Sequence, residues 1–447
     1  MMKRTFLWSA VALSLLAGSV AFAAPTPAID RYTVELPAHE YLTAPGQTKH
    51  AIPLGYGSAL TYKETTRDGA IEFYGVTDRG PNLDSVQYRD GDQKRSSKIF
   101  PVPDYAPRIG IIRVKDGKAT VVSSFSLKNK AGQDISGRPI PQGALGNTGE
   151  IGLDLQFRPL AYDKNGLDPE GLAVDAQGHF WLTDEYGPFL IEYDRQGREL
   201  RRLAPGQGLP KILQERQPNR GAEGLAITPA GKLMVMMQST LNVGGKTKNI
   251  ANFTRLVLVD PKSGDVKTYA YPITPGSYKK NSAMKLGDIA AINDHQFLVI
   301  EQGKDAQGTM QNRIYKIDIA KATDITDMTS GQNALEADKD SLGKLFQPVQ
   351  KDLFLDLRQH GWRVEKAEGI VLLPDKKTLA IANDNDFGIA LKIEGAAAGQ
   401  DDITEYTYDA EQRILRGADG TPTRIRATMT EGPDPSVLWL IHLPQPL

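Results

Sequence analysis

A short hairpin recurs along this 447-residue chain and limits its fold more than any other feature. "EGLAVDAQGHFWLTDE" begins at Glu170, "EGLAITPAGKLMVMMQ" at Glu223, "GDIAAINDHQFLVIEQ" at Gly287 and "EGIVLLPDKKTLAIAN" at Glu368. A diverged copy, "GSALTYKETTRDGAIEFYGVTDRGPN", starts at Gly57. Its end, Thr77-Asp78-Arg79-Gly80-Pro81, parallels Thr183-Asp184-Glu185-Tyr186-Gly187-Pro188. Each copy reads as two short strands around a tight polar turn. Most copies are followed by a second hairpin: "RIGIIRVKDGKATVVSSFSL", "FLIEYDRQGRELRRLA", "TRLVLVDPKSGDVKTYAYPI" and "NRIYKIDIAKATDI". The last copy has only "ALKIEG" and a weaker tail.

Two hairpins make four strands, and four strands make one propeller blade. The predicted fold is therefore all-β, a single β-propeller over residues 24–447. Five blades are expected, with six as the alternative. The early "RYTVELP" and the final "VLWLIHLP" are spare strands, and pairing them in one blade would close the ring and remove exposed edges. Long insertions fall at 128–166, rich in Gly and Pro, and at 329–365. Helical spacing over 330–357 predicts a cap on one face.

Residues 1–23 read as a secretory signal peptide. Lys3 and Arg4 precede the apolar run from Phe6 to Ala21, and Ala21-Phe22-Ala23 supplies small residues for cleavage. No later run predicts a membrane-spanning helix. A soluble protein, periplasmic or secreted and monomeric, is expected. The chain has no Cys, so neither disulfides nor a Cys-linked lipid anchor enter the argument. Its 53 Lys and Arg nearly balance 54 Asp and Glu, and no basic stripe points to nucleic acid.

The placement of acids says more than their number. Glu170, Glu223 and Glu368 start the first strand of their repeats, and Asp288 lies one position further on in its own. First strands line a propeller's channel, so these carboxylates converge and repel unless a cation neutralises them. A second ring sits at strand ends: Asp78 and Arg79, Asp184 and Glu185, Gln238, Glu301 and Gln302, then Asn383, Asp384 and Asp386. Oxygen-rich surroundings without Cys select a hard cation, calcium before magnesium. The plainer alternative is that these residues cap strands and form turns. The six His residues are scattered, with His179 and His295 in hairpin turns, so zinc is not expected. No G-x-S-x-G elbow, Walker loop or dinucleotide fingerprint is present.

"GVTDRGPN" (75–82), "DISGRPIP" (134–141), "GLDPEGLAVDAQGHFWLTDEYGPFLIEYDRQG" (166–197), "NRGAEGLAI" (219–227) and "KAEGIVLLPD" (366–375) resemble the phytase-like family of exported bacterial β-propellers, that of the "esterase-like activity of phytase". The resemblance implies a propeller with calcium and a phosphoester or ester hydrolase activity. β-Propeller phytases combine such acids with a Lys and Arg cluster, which the sequence alone does not align here.

These readings converge on an exported calcium-dependent phosphoester hydrolase acting on a small phosphorylated or ester substrate. Metal ligands are expected among Glu170, Glu223, Glu368, Asp288, Asp78, Glu301, Asp384 and Asp386. Glu170, Asp184 and Glu185 are the candidate catalytic acids, with Arg79 and Arg220 neutralising developing charge. The alternatives are a non-catalytic calcium-binding propeller and a lactonase- or esterase-type propeller hydrolase.

Overall fold

Runs such as Leu233–Met237 and Thr378–Ala382 are buried on both faces, as strands sandwiched between other sheets must be. The computed structural model describes residues 27–45, 51–396 and 399–447, so the expected leader lies outside the described residues. It is all-β, with short 3-10 turns as its only helical segments among those residues. None is long and apolar enough to cross a membrane.

Twenty strands form five antiparallel sheets. We label β1 Ala28–Glu35, β2 Ala59–Thr65, β3 Ile71–Val76, β4 Arg108–Lys115 and β5 Lys118–Ser126. The next sheet holds β6 Pro169–Val174, β7 Phe180–Asp184, β8 Phe189–Tyr193 and β9 Glu199–Pro205. The third holds β10 Ala222–Ile227, β11 Leu233–Met237, β12 Phe253–Val259 and β13 Val266–Pro272. The fourth holds β14 Lys285–Ala291, β15 Gln296–Lys304, β16 Met310–Asp318 and β17 Gln350–Asp356. Finally come β18 Gly369–Leu372, β19 Thr378–Ala382 and β20 Val437–His442. The first sheet is β2-β3-β4-β5, and the fifth is β18-β19-β20-β1. The two chain ends thus meet in one sheet, with Ile29 opposite Ile441 and Tyr32 opposite Leu438. Strand β1 also pairs in parallel with β5, joining sheets five and one.

First strands neighbour one another in order: β2 lies beside β6, β6 beside β10, β10 beside β14, β14 beside β18 and β18 beside β2. The apolar core fills the spaces between consecutive sheets. Val76, Leu172 and Leu182 pack between sheets one and two, and Met234, Leu256 and Phe297 between three and four. Ile300, Ile381 and Ile441 pack between four and five. Fully burying a side chain of this size contributes about 1.5–3 kcal/mol.

Three features depart from the sequence reading. The helix predicted over 330–357 is absent. Short strands, a 3-10 turn at Leu335–Ala337 and then β17 occupy that stretch, because "QKDLFLD" pairs along β16 as the outer strand of sheet four. "NRIYKIDIAKATDI" therefore supplies one strand of that sheet, β16, where two were expected. "ALKIEG" lies in strand Ile389–Glu394, which pairs with Arg426–Glu431 outside the five sheets. That pair belongs to an accessory region with Gln87–Asp90, Ser97–Ile99, Ile151–Leu153 and Thr407–Asp409, whose apolar residues join one core with sheets one and five.

Candidate metal and substrate site

Antiparallel pairing brings the start of each first strand to the end of its second strand. Pro169 lies opposite Asp184, Ala222 opposite Met237 and Gly369 opposite Ala382. The Glu-Gly starts and the acidic strand ends therefore share one end of the sheets. The register slips by a bulge within Pro169/Gly171 and within Ala222/Leu225, where Glu170 and Glu223 sit. Bulges of this kind re-aim a side chain beside a site.

A cavity of about 240 Å³ opens there. Its acids are Asp78, Asp168, Glu170, Glu185, Glu223, Glu368 and Asp386, and its cations are Arg79, Lys98, Lys285 and Lys366. Ligand oxygens of Asp78, Asp168 and Glu170, all buried, lie within 4.8 Å of one another, as do those of Asp78, Asp384 and Asp386. The second group already holds a cation: Lys366 Nζ lies 2.5 Å from Asp384, 2.8 Å from Asp386 and 3.8 Å from Glu368. Asp386 and Phe387 have left-handed φ angles of 48° and 56°, a strained turn for non-glycine residues.

Neither carboxylate oxygen of Asp168 has a hydrogen-bond partner, although the residue is 1% exposed. Arg79 approaches to 3.4 Å, and to 3.5 Å from Glu150. Arg79 is fixed by Asn82 and Asn219, each accepting at 3.1 Å. The 128–166 insertion holds this corner. A Cβ on Gly137 would lie 1.6 Å from the Arg79 carbonyl oxygen, and Tyr186 donates its hydroxyl to the Gly137 carbonyl at 2.7 Å. Gln238 donates to both Glu185 (2.8 Å) and Glu223 (2.9 Å), and Gln302 donates to Glu368 (3.3 Å).

Burial is the main force on these acids, followed by their mutual repulsion. It pushes Asp78, Glu170 and Glu223 well above the usual carboxylate range. Burial raises Asp168 to about 7 despite Arg79, Glu185 to about 7 despite Lys285, and Glu368 to about 7 despite Lys366. It also raises Asp384 to about 6 despite Lys366. Buried carboxylates that repel one another, with neither oxygen of Asp168 accepting a hydrogen bond, in a site with no sulfur or imidazole, fit a hard cation such as calcium.

Some expected residues stand elsewhere. Asp288 accepts backbone N–H groups of Leu225, Ile289 and Ile370 and does not line the cavity. Glu301 accepts from Tyr271, Tyr278 and Lys351, linking sheets three and four away from the cavity. Asp184 accepts the amides of Asp168 (3.1 Å) and Tyr186 (2.9 Å), and burial raises it to about 6. Arg220 donates to Ser239 and Ser282. Asp175, His179 and Glu192 do cluster, but Asp175 accepts from Trp181 and two amides while Glu192 holds His179 and Arg201, which makes a satisfied turn clamp.

Sequence reasoning missed Asp168, Glu150, Lys98, Lys285 and Lys366. A signal existed for three of them. Asp168 and Lys366 stand two residues before Glu170 and Glu368, and Lys285 two before Gly287, and alternate residues of a strand face one way. The structure thus places four cationic side chains, Arg79, Lys98, Lys285 and Lys366, at this cavity.

Three comparisons bear on the chain. An uncharacterized secreted protein of Arthroderma benhamiae is 28% identical over 209 residues, covering 37% of this chain and 41% of the relative. The match thus spans less than half of that relative's length. A crystal structure of an α-L-arabinofuranosidase from Podospora anserina in complex with cellotriose aligns over 95% of this chain and 99% of its own at 9% identity, with TM-score 0.36. A crystal structure of a Lactobacillus plantarum protein aligns over 85% and 89% at 10% identity, with TM-score 0.32. The family model described as phytase-like, "esterase-like activity of phytase", matches residues 52–387, and the chain belongs to that family.

Proposed function

We propose that the protein is an exported phosphoester hydrolase that uses a hard divalent cation, calcium before magnesium, at one end of a closed five-bladed propeller. The cycle of first strands and the terminal strands sharing sheet five support the five-bladed reading. The N-terminal pattern and the secreted relative support export. One observation carries the activity: the Asp168 carboxylate, buried and accepting no hydrogen bond, stands among six further acids and four cationic side chains in one cavity.

Asp78, Asp168 and Glu170 would hold the cation, which supplies positive charge toward phosphoryl oxygens and acidifies water. Arg79, Lys98 and Lys285 orient the phosphate and neutralise charge as it develops. Glu185 shares the Gln238 amide with Glu223 and is poised near neutral pH to move a proton. Water oxygen bonds to phosphorus, the P–O ester bond breaks, and the leaving oxygen takes a proton, so one water is consumed per ester. Asp184 and Arg220 support the turns around the site.

The test assays p-nitrophenyl phosphate, bis-p-nitrophenyl phosphate, phytate and short acyl esters, with chelator and with added calcium. Phosphoester turnover that falls with chelation and returns with calcium is expected, and Glu185→Gln should lower kcat about 10²- to 10³-fold with KM little changed. Turnover of acyl esters alone would favour the esterase or lactonase reading. Tight calcium binding without turnover of any ester would leave a non-catalytic calcium-binding propeller.

A further inference from the structure

Two groups of carboxylates meet at the acid cavity and share one member. Ligand oxygens of Asp78, Asp168 and Glu170 lie within 4.8 Å of one another, and so do those of Asp78, Asp384 and Asp386. Two oxygen clusters on a common carboxylate could hold a pair of divalent cations, which in two-metal sites stand about 3.5–4 Å apart. The two groups are not equivalent. In the first, neither oxygen of Asp168 accepts a hydrogen bond, although the residue is 1% exposed and Arg79 stands 3.4 Å away. The second is filled by the protein itself. Lys366 Nζ lies 2.5 Å from Asp384, 2.8 Å from Asp386 and 3.8 Å from Glu368. An ammonium has three donors, and Lys366 has three carboxylates within ion-pair distance. Among the described residues no other cation of the cavity has as many: Arg79 has Glu150 and Asp168, and Lys98 has Asp84. The fold places this lysine. Its carbonyl accepts the indole N–H of the buried Trp362 at 3.2 Å, and the next amide, of Ala367, donates to Gln302 at 2.9 Å. Asp384 is fixed in turn by the Asp386 amide, which donates to it at 3.1 Å. Part of the entropy of ordering a long side chain is thus lost in folding and not again when a ligand binds.

We infer that Lys366 takes the place of a second metal ion: its ammonium is the built-in second cation of a one-metal site, and Asp78 is shared between the ammonium and the metal. The inference rests on the reading of Asp78, Asp168 and Glu170 as cation ligands. Asp384 and Asp386, expected from the sequence to bind metal, hold the lysine instead. A compact ammonium supplies one fixed positive charge whatever the free calcium concentration. Calcium binding should therefore follow the dependence of a single ion, and removing the ammonium should open the second position to calcium.

The test counts calcium ions per chain by equilibrium dialysis of the chelator-treated mature protein at about pH 8, where carboxylates are ionised. Wild type should bind one ion. Lys366→Met should bind two, the second with a Kd of about 1 mM or tighter. Asp386→Asn, which suits the left-handed turn at that position, should still bind one ion, with affinity within about fivefold of wild type. Two ions on wild type, one ion on folded Lys366→Met, or loss of calcium from Asp386→Asn would overturn the inference. The wild-type count and the Asp386→Asn arm need no lysine variant, so they decide the matter if Lys366→Met does not fold. No calcium on wild type would overturn the cation reading itself, whereas two ions would leave that reading standing and remove only the role of Lys366.

Discussion

Asp168 is costly to bury, and in the proposed function it is a cation ligand. Both its oxygens are buried and accept no hydrogen bond, Arg79 stands 3.4 Å away, and burial raises its carboxyl to about 7. A residue kept for stability would have been given hydrogen bonds. Asp168→Asn removes the repulsion while keeping the shape. It should raise the melting temperature of the chelator-treated protein by about 2–4 °C and abolish most of the rise that calcium produces in wild type. Differential scanning calorimetry with and without calcium checks both. Lys366 acts in the opposite sense, as a built-in counter-ion for Asp384 and Asp386. Replacing it by Met leaves those acids uncompensated and should cost about 3 kcal/mol or more in chelator, with part of the loss recovered in calcium.

The strand is the scale at which the sequence was read well in some places and poorly in others. Glu170, Glu223 and Glu368 were legible because the same motif starts three first strands, and all three line one cavity. Asp288 was not, because a shift of one residue sends a strand side chain to the other face. Its carboxylate instead ties β14 to β10 and β18 through the amides of Leu225 and Ile370. Asp288→Ala strands those N–H groups, and urea unfolding should show a loss of about 3–5 kcal/mol, while calcium affinity stays within about twofold of wild type. The accessory strands were illegible for another reason. Segments as distant as Gln87–Asp90 and Thr407–Asp409 pair in parallel, and no local periodicity reports a partner more than 300 residues away. Lys98 reaches the cavity from the same region, which is why the basic cluster could not be aligned by repeat position.

Across the whole molecule, the acid cavity sets how stability follows pH. Asp168, Glu185 and Glu368 have folded-state pKa values raised to about 7, above the usual carboxylate range of about 4. Between those values the folded state binds more protons than the unfolded state, so stability without cation is highest below about pH 4 to 5 as far as these groups are concerned. It falls as pH rises through 7. A cation bound here would compete with protons for the same oxygens. The calcium-induced rise in melting temperature should therefore be small at pH 5 and large at pH 8. A rise of equal size at both would place calcium outside this cavity.

The most direct measurement is a calorimetric titration of calcium into the chelator-treated protein at pH 8, for wild type, Asp168→Asn and Glu170→Gln. A single saturable site is expected in wild type, weakened about 10-fold or more in each variant. Absence of calcium binding in wild type, or binding that both variants leave unchanged, would contradict the assignment of these buried carboxylates as cation ligands.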